Sequence, residues 1–232
     1  LSIYEENYAE QEEPPWRLES KILYSLQGIA GNMGESQLEL DYIAKYNEKQ
    51  DYYEERFGNS SNKLIGERGW PYMKLEKYDD ARRVAQEAID TGRTWQESLG
   101  HNVLCAVESE LGNRELGLKH CEDALFHARR TYSGIAIDAS NAANASFAGL
   151  DFNKVELYAL EGSKAGGTTA PAWMNLVNLF LLEGRGSSAI DAMKELRKSQ
   201  KREEARYRSQ RRADIDTTFA KILLLAGEAE RG

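Results

Sequence analysis

The strongest constraint on this chain is that it resembles itself at a nearly fixed interval. A helical bundle shows no such period, whereas a stack of repeated helix pairs shows it throughout. Four segments align on a short polar turn and the helix opening that follows it: Tyr78-Asp79-Asp80-Ala81, Arg114-Glu115-Leu116-Gly117, Phe152-Asn153-Lys154-Val155 and Gly186-Ser187-Ser188-Ala189. Their starts lie 36, 38 and 34 residues apart. Seven or eight residues beyond each small fourth residue come Ala88-Ile89, Ala124-Leu125, Gly162 or Leu196. From Arg17 onward Ala, Leu, Glu, Lys and Arg dominate, and Gly or Asn punctuates at intervals of about 12 to 20 residues, the marks of successive helices. No run of alternating Val, Ile and Thr predicts a strand. The fold class this implies is all-α, built from paired antiparallel helices.

The fullest unit reads Trp173-Met174-Asn175-Leu176-Val177-Asn178-Leu179-Phe180, then Glu183-Gly184, then Ala189-Ile190. In this order of large apolar, Asn, Leu, small, Asn, aromatic, Gly and Ala the chain resembles the tetratricopeptide repeat family, whose unit is two helices in about 34 residues. Other units contribute Gly69, Tyr72, Tyr78, Ala81, Ala88 and Ile89, then Leu104, Cys105, Leu111-Gly112, Ala124 and Leu125, and more weakly Ala139, Ala142, Ala143 and Asn144. Glu108 and Ser146 depart from the pattern, standing where an aromatic residue or Leu is expected, so either the register slips there or those units pack loosely. The resemblance implies a right-handed α-solenoid. Its expected layout is an acidic extended arm over 1–16 and a solenoid over 17–232. Within the solenoid come a degenerate pair at 17–57, repeats near 62–95, 98–131, 136–169 and 170–203, and a partial last repeat at 204–232. Small residues such as Gly69, Ala81, Ala88, Ala143 and Ala189 belong where helix axes approach most closely. Tyr72, Trp173 and Phe180 belong between successive units, since one helix pair cannot bury its apolar face alone. A solenoid that ends on half a unit exposes an apolar face, so the sequence reading expects a longer parent protein or a second chain over that end.

The chain has 232 residues with 30 Lys and Arg against 38 Asp and Glu, a net charge of −8 that argues against general affinity for nucleic acid or anionic membranes. No stretch approaches the roughly 20 apolar residues of a spanning helix. The charge is uneven: residues 1–55 hold 13 acidic and 4 basic side chains, and residues 194–212 hold 9 basic and 3 acidic ones. The basic run reads first as a solvated helix face. Nucleic-acid contact through it, with Tyr207 available for stacking, is disfavoured. The acidic arm is a candidate to lie against it. No charged-then-apolar leader is visible, and the expectation leaves the compartment open with a cytoplasmic one favoured.

Asn141 and Asn144 are followed by Asn175 and Asn178, each pair three residues apart and the pairs separated by 34. Positions three apart share a helix face, and Asn is a poor residue in the middle of a helix. Its amide both donates and accepts, as a grip on an extended peptide requires. Asn102 stands near the equivalent place one unit earlier, and Trp70, Met73 and Phe147 fall on the same face by position. The resemblance implies that these residues line a groove for a peptide. The plainer reading is local hydrogen bonding for the asparagines and inter-unit packing for the rest. Apart from Lys63 and Lys74 the face lacks the cations with which some members of the family clamp a C-terminal carboxylate.

His101 and Cys105 are four apart, and Cys121 follows His120, so a metal cluster can be imagined there. The missing CxxC and HxxxH spacings favour two buried core thiols and no metal site. A disulfide across the helix pair is open to these cysteines if they touch. Enzyme signatures are absent: Gly184-Arg185-Gly186-Ser187-Ser188 lacks the Lys of a phosphate loop, and Gly166-Gly167-Thr168-Thr169 reads as a turn before Pro171. The expected function is therefore non-catalytic and free of cofactors. It is binding of a peptide or protein segment along the groove, with regulation of an effector in the same polypeptide as the alternative.

Overall fold

A computed structural model of the protein describes residues 16–58 and 62–204. Among the described residues there are ten α-helices and no strand. The chain divides into two compact units, residues 1–91 and 92–232. The acidic arm, the partial last repeat and the contact imagined between arm and basic run lie outside the described residues.

The first unit holds α1 (Trp16–Met33), α2 (Ser36–Phe57), a short α3 (Gly69–Lys74) after a single 3-10 turn, and α4 (Tyr78–Asp90). The α1–α2 hairpin is closed by polar as well as apolar contacts, since Glu19, Ser20 and Gln50 are all buried. The Tyr53 hydroxyl donates to Glu19 (3.0 Å) and the Gln50 amide to Ser20 (3.1 Å). Asn47 both donates to the Leu64 carbonyl and accepts from the Leu64 amide, which ties the connecting segment to α2. Helix α4 carries Asp79 and Asp80 in its first turn, which suit a helix N-terminus, and buries Ala81, Val84, Ala85 and Ala88 along one stripe.

The second unit holds three helix pairs: α5 (Thr94–Glu110) with α6 (Arg114–Thr131), α7 (Ile135–Ala148) with α8 (Phe152–Lys164), and α9 (Ala170–Leu182) with α10 (Gly186–Glu204). Each helix packs on the next in sequence. In addition α5 packs on α7 and α7 on α9, so the first helices of successive pairs lie side by side. The second helices α6 and α8 are bridged by long side chains: Glu122 accepts from Lys154 (2.8 Å) and from the Tyr158 hydroxyl (2.6 Å). Arg129 forks onto both oxygens of Glu161 (2.7 and 2.5 Å). Leu125, Ala142, Val155, Leu176, Val177, Leu179 and Met193 form the core of this unit. Gly162 marks a close approach of three helices, where an added Cβ would meet Ala172 Cβ at 3.0 Å and the Ala136 carbonyl at 3.1 Å.

One turn recurs in both units. The amide of the last residue before each second helix donates back to a carbonyl five residues earlier: Glu35 to Ala30, Lys77 to Tyr72, Asn113 to Glu108, Asp151 to Ser146 and Arg185 to Phe180, all between 2.7 and 3.0 Å. This closure needs a residue with positive φ just before the donor. Gly34, Gly112 and Gly184 supply it without strain, whereas Glu76 and Leu150 adopt it at φ 58° despite their side chains. Glu108 and Ser146 therefore stand in register with Tyr72 and Phe180. Both are buried, and neither is loosely packed: Glu108 accepts from the Asn113 side chain (2.7 Å), and Ser146 donates to the Ala142 carbonyl (2.8 Å).

Leu150 is 73% exposed, so its side chain contributes little where it stands while its backbone carries the cost of the left-handed conformation. Leu150→Gly is expected to stabilise the protein by about 1 kcal/mol, read as a higher urea midpoint at unchanged slope.

Candidate functional site

The asparagines separate into two groups. Asn102 and Asn175 are buried, at 7% and 5% exposure, and their amides are consumed within the fold. Asn102 donates to Asp138 Oδ1 (2.7 Å) and accepts from Asn141 Nδ2 (2.6 Å), while Asn175 donates to the Ser140 carbonyl (3.0 Å). These bonds run from α5 to α7 and from α9 to α7, so the three residues fasten neighbouring first helices to one another. Asn144 and Asn178 differ: both are exposed, one on α7 and one on α9. Phe147 is half-buried and meets the Phe152 ring edge-on across the α7–α8 turn (6.2 Å). Trp70 and Met73 are half-buried on α3 in the first unit. There Lys74 pairs with Glu39 (3.6 Å) and donates to the Gly31 carbonyl (3.2 Å), and Lys63 pairs with Asp51.

At the centre of the asparagine network sits Asp138, in the first turn of α7. Besides the Asn102 amide it accepts the Ser98 hydroxyl (3.0 Å). Burial is the dominant influence and pushes its carboxyl up from 3.8 to about 6, against the pull of the Ser98 hydrogen bond. A buried carboxylate without a cation beside it is costly to ionise.

The α5–α6 pair carries the second constellation. Ser109 and Gly117 stand four residues either side of Asn113 in the turn, and Cys105 and Cys121 stand eight residues either side. Gly117 admits the close approach, because a Cβ there would lie 2.8 Å from Ser109 Oγ and 3.4 Å from the Cys105 carbonyl. One helical turn further on, the Cα atoms of Cys105 and Cys121 are 4.9 Å apart and the two sulfurs are joined in a disulfide. This corrects the expectation of two free core thiols: facing positions on helices drawn together by a glycine fall within bonding reach. Disulfides persist in oxidising compartments and are rare in the cytosol, which counts against the cytoplasmic reading.

All three histidines of the chain gather beside that bond. His101 Nδ1 lies 3.1 Å from His120 Nδ1 and 3.9 Å from Asp123 Oδ2. The His127 ring stacks on His101 (centroids 5.6 Å apart, planes inclined by 16°). His127 Nδ1 is 3.2 Å from Glu97 Oε2, without the alignment of a hydrogen bond. Burial holds the His101 and His120 imidazoles below their ordinary pKa, with Asp123 opposing it in both cases. In the sequence His101 and His120 are visible as candidates beside Cys105 and Cys121, whereas Asp123 and His127 stand at no recognised ligand spacing from them.

In the basic run, Lys194 pairs with Asp191 and Lys198 with Glu195 one turn away, as on a solvated face. Residues 205–212 of that run lie outside the described residues. None of the described helices is long and apolar enough to cross a membrane. Comparison with protein-family models gives no match, and comparison with curated proteins gives none either.

Two outcomes follow. Asp138 favours its protonated form when folded, so its contribution to stability is full below pH 3.8 and is lost as pH rises through about 6. The difference in unfolding free energy between wild type and Asp138→Asn is expected to shift in favour of the variant by up to about 3 kcal/mol between pH 3 and pH 7, measured by urea titration at each pH. The disulfide closes a loop with a sequence separation of 16. The Cys105→Ala/Cys121→Ala variant is expected to lose up to about 3 kcal/mol under non-reducing conditions. Addition of reductant should destabilise wild type and leave the variant unchanged.

Proposed function

We propose that this chain is a tetratricopeptide-like, right-handed superhelix of helix pairs that binds a peptide or protein segment along the exposed face of its first helices, without catalysing a reaction. The observation that carries this reading is the placement of Asn144 and Asn178. They are exposed, 34 residues apart, on α7 and α9, two first helices that pack side by side. Each presents a donor and an acceptor at a repeated interval, which suits a ligand of extended main chain. Buried Asn102 and Asn175, with half-buried Asn141, take a supporting part, holding α5, α7 and α9 in fixed relation so that the exposed pair is rigid. In this reading no cofactor is required, and the ligand is a polypeptide, from a separate protein or from another part of a longer parent chain.

The test is selection of displayed peptides against the full chain, followed by affinity measurement on wild type and on Asn144→Ala/Asn178→Ala. Selected peptides are expected to bind the double variant at least about tenfold more weakly, as loss of two hydrogen bonds predicts. Because both side chains are exposed, the unfolding free energy should stay within about 0.5 kcal/mol of wild type. Equal affinity for the two proteins would remove these residues from the binding face.

A further inference from the structure

We propose that His101, His120 and Asp123 form a binding site for one divalent transition-metal ion of the zinc class, at the α5–α6 pair. One ligand atom from each of the three residues lies within 4.8 Å of the other two. The two imidazole Nδ1 atoms are 3.1 Å apart, and His101 Nδ1 is 3.9 Å from Asp123 Oδ2. Nitrogen ligands at about 2.0–2.1 Å from a tetrahedral zinc ion stand roughly 3.3 Å from each other, so the two imidazoles are already at ligand spacing. The carboxylate must close on His101 by about half an ångström. Asp123 can do so, being 41% exposed at its side chain, whereas His101 at 16% is held in place.

The supporting structure is rigid. His120 and Asp123 are three apart on α6 and so share a face. His101 stands one turn from Cys105, His120 is next to Cys121, and the disulfide locks the two helices at that level. His127, stacked on His101, walls one side, with Glu97 behind it. Two imidazoles and one carboxylate make a donor set for zinc or its first-row neighbours, and not for Mg2+ or Ca2+, which take oxygen ligands. The disulfide occupies both sulfurs, so the set is N2O. A tetrahedral ion held by three protein ligands keeps one position for water or a ligand.

The experiment uses the full chain freed of any affinity tag and stripped with chelator, titrated calorimetrically with Zn2+ alone and separately with Mg2+. Co2+ then serves as an optical probe of coordination. One equivalent of Zn2+ is expected to bind at about micromolar Kd or tighter, with Mg2+ silent and Co2+ developing the visible bands of a four-coordinate site. His101→Gln and His120→Gln should each weaken Zn2+ binding by at least about 100-fold. Asp123→Asn, an isosteric change on a partly exposed side chain, should weaken it by at least about tenfold and alter the Co2+ spectrum. That variant keeps the test decisive if a histidine variant fails to fold. Binding only near ~1 mM, equal binding of Mg2+, or Zn2+ affinity unchanged in Asp123→Asn would each overturn the site and leave an adventitious ion only.

Discussion

The helix pairs depend on how each first helix stops. A chain leaving an α-helix must satisfy its last carbonyls and reverse direction within three residues, and here it does both with a hydrogen bond that spans six residues, a shorter one nested inside it and one residue of positive φ. Because this device recurs at the same place relative to each second helix, it sets where that helix begins and which of its residues face the partner. Tyr78, Arg114, Phe152 and Gly186 open their helices two residues after it. The residues that follow at the fourth helical position, Ala81, Gly117, Val155 and Ala189, are all buried. The repetition in sequence is thus repetition of a turn, and the packing inherits its period.

Once the pairs are formed, neighbouring pairs in the second unit are joined by polar contacts on two levels. Buried amides link the first helices, where an unsatisfied donor would be costly and each bond therefore selects one alignment. Charged forks link the second helices nearer solvent, where the same chemistry is worth less. Burial opposes ionisation of Glu122, yet the hydrogen bonds from Lys154 and Tyr158 hold its carboxyl below the ordinary range. For Asp138 burial prevails, since its partners are a hydroxyl and an amide and no cation pairs with it among the described residues. The same carboxyl group is tuned in opposite directions by whether a cation can reach it.

The all-helical class and the sequential packing of helices were legible in the sequence, because both are properties of period and composition. The division of labour among the asparagines was not. Asn141 and Asn144 are three residues apart, about 60° around the helix. That is close enough to share a face by counting, yet enough for one to reach Asn102 while the other faces solvent. Period locates a face; only the neighbouring helix decides which edge of the face is covered. The disulfide left a signal that was not used. Cys105 and Cys121 are equidistant from Asn113, and Gly117 stands opposite Ser109 at half that distance, as facing positions of a tight antiparallel pair must be. The His101, His120 and Asp123 cluster has no comparable signature, since its members are offset along two helices and meet through side-chain reach.

Helix α5 connects these features, and its position constrains what the histidine cluster can do. Toward α6 it presents Cys105, bonded to Cys121, and His101; toward α7 it presents Ser98 and Asn102, both bonded to Asp138. Successive residues on a helix are about 100° apart, so adjacent His101 and Asn102 serve different neighbours at one level. Any rotation of α5 that moved His101 toward a better-centred position would draw Asn102 away from Asp138 and Asn141 and leave buried polar groups unpaired. Translation along its axis is opposed by the disulfide and by the close contact at Gly117. The imidazoles are therefore set by the packing of three helices, and the adjustment a bound ion requires falls on Asp123, the member of the cluster with room to move.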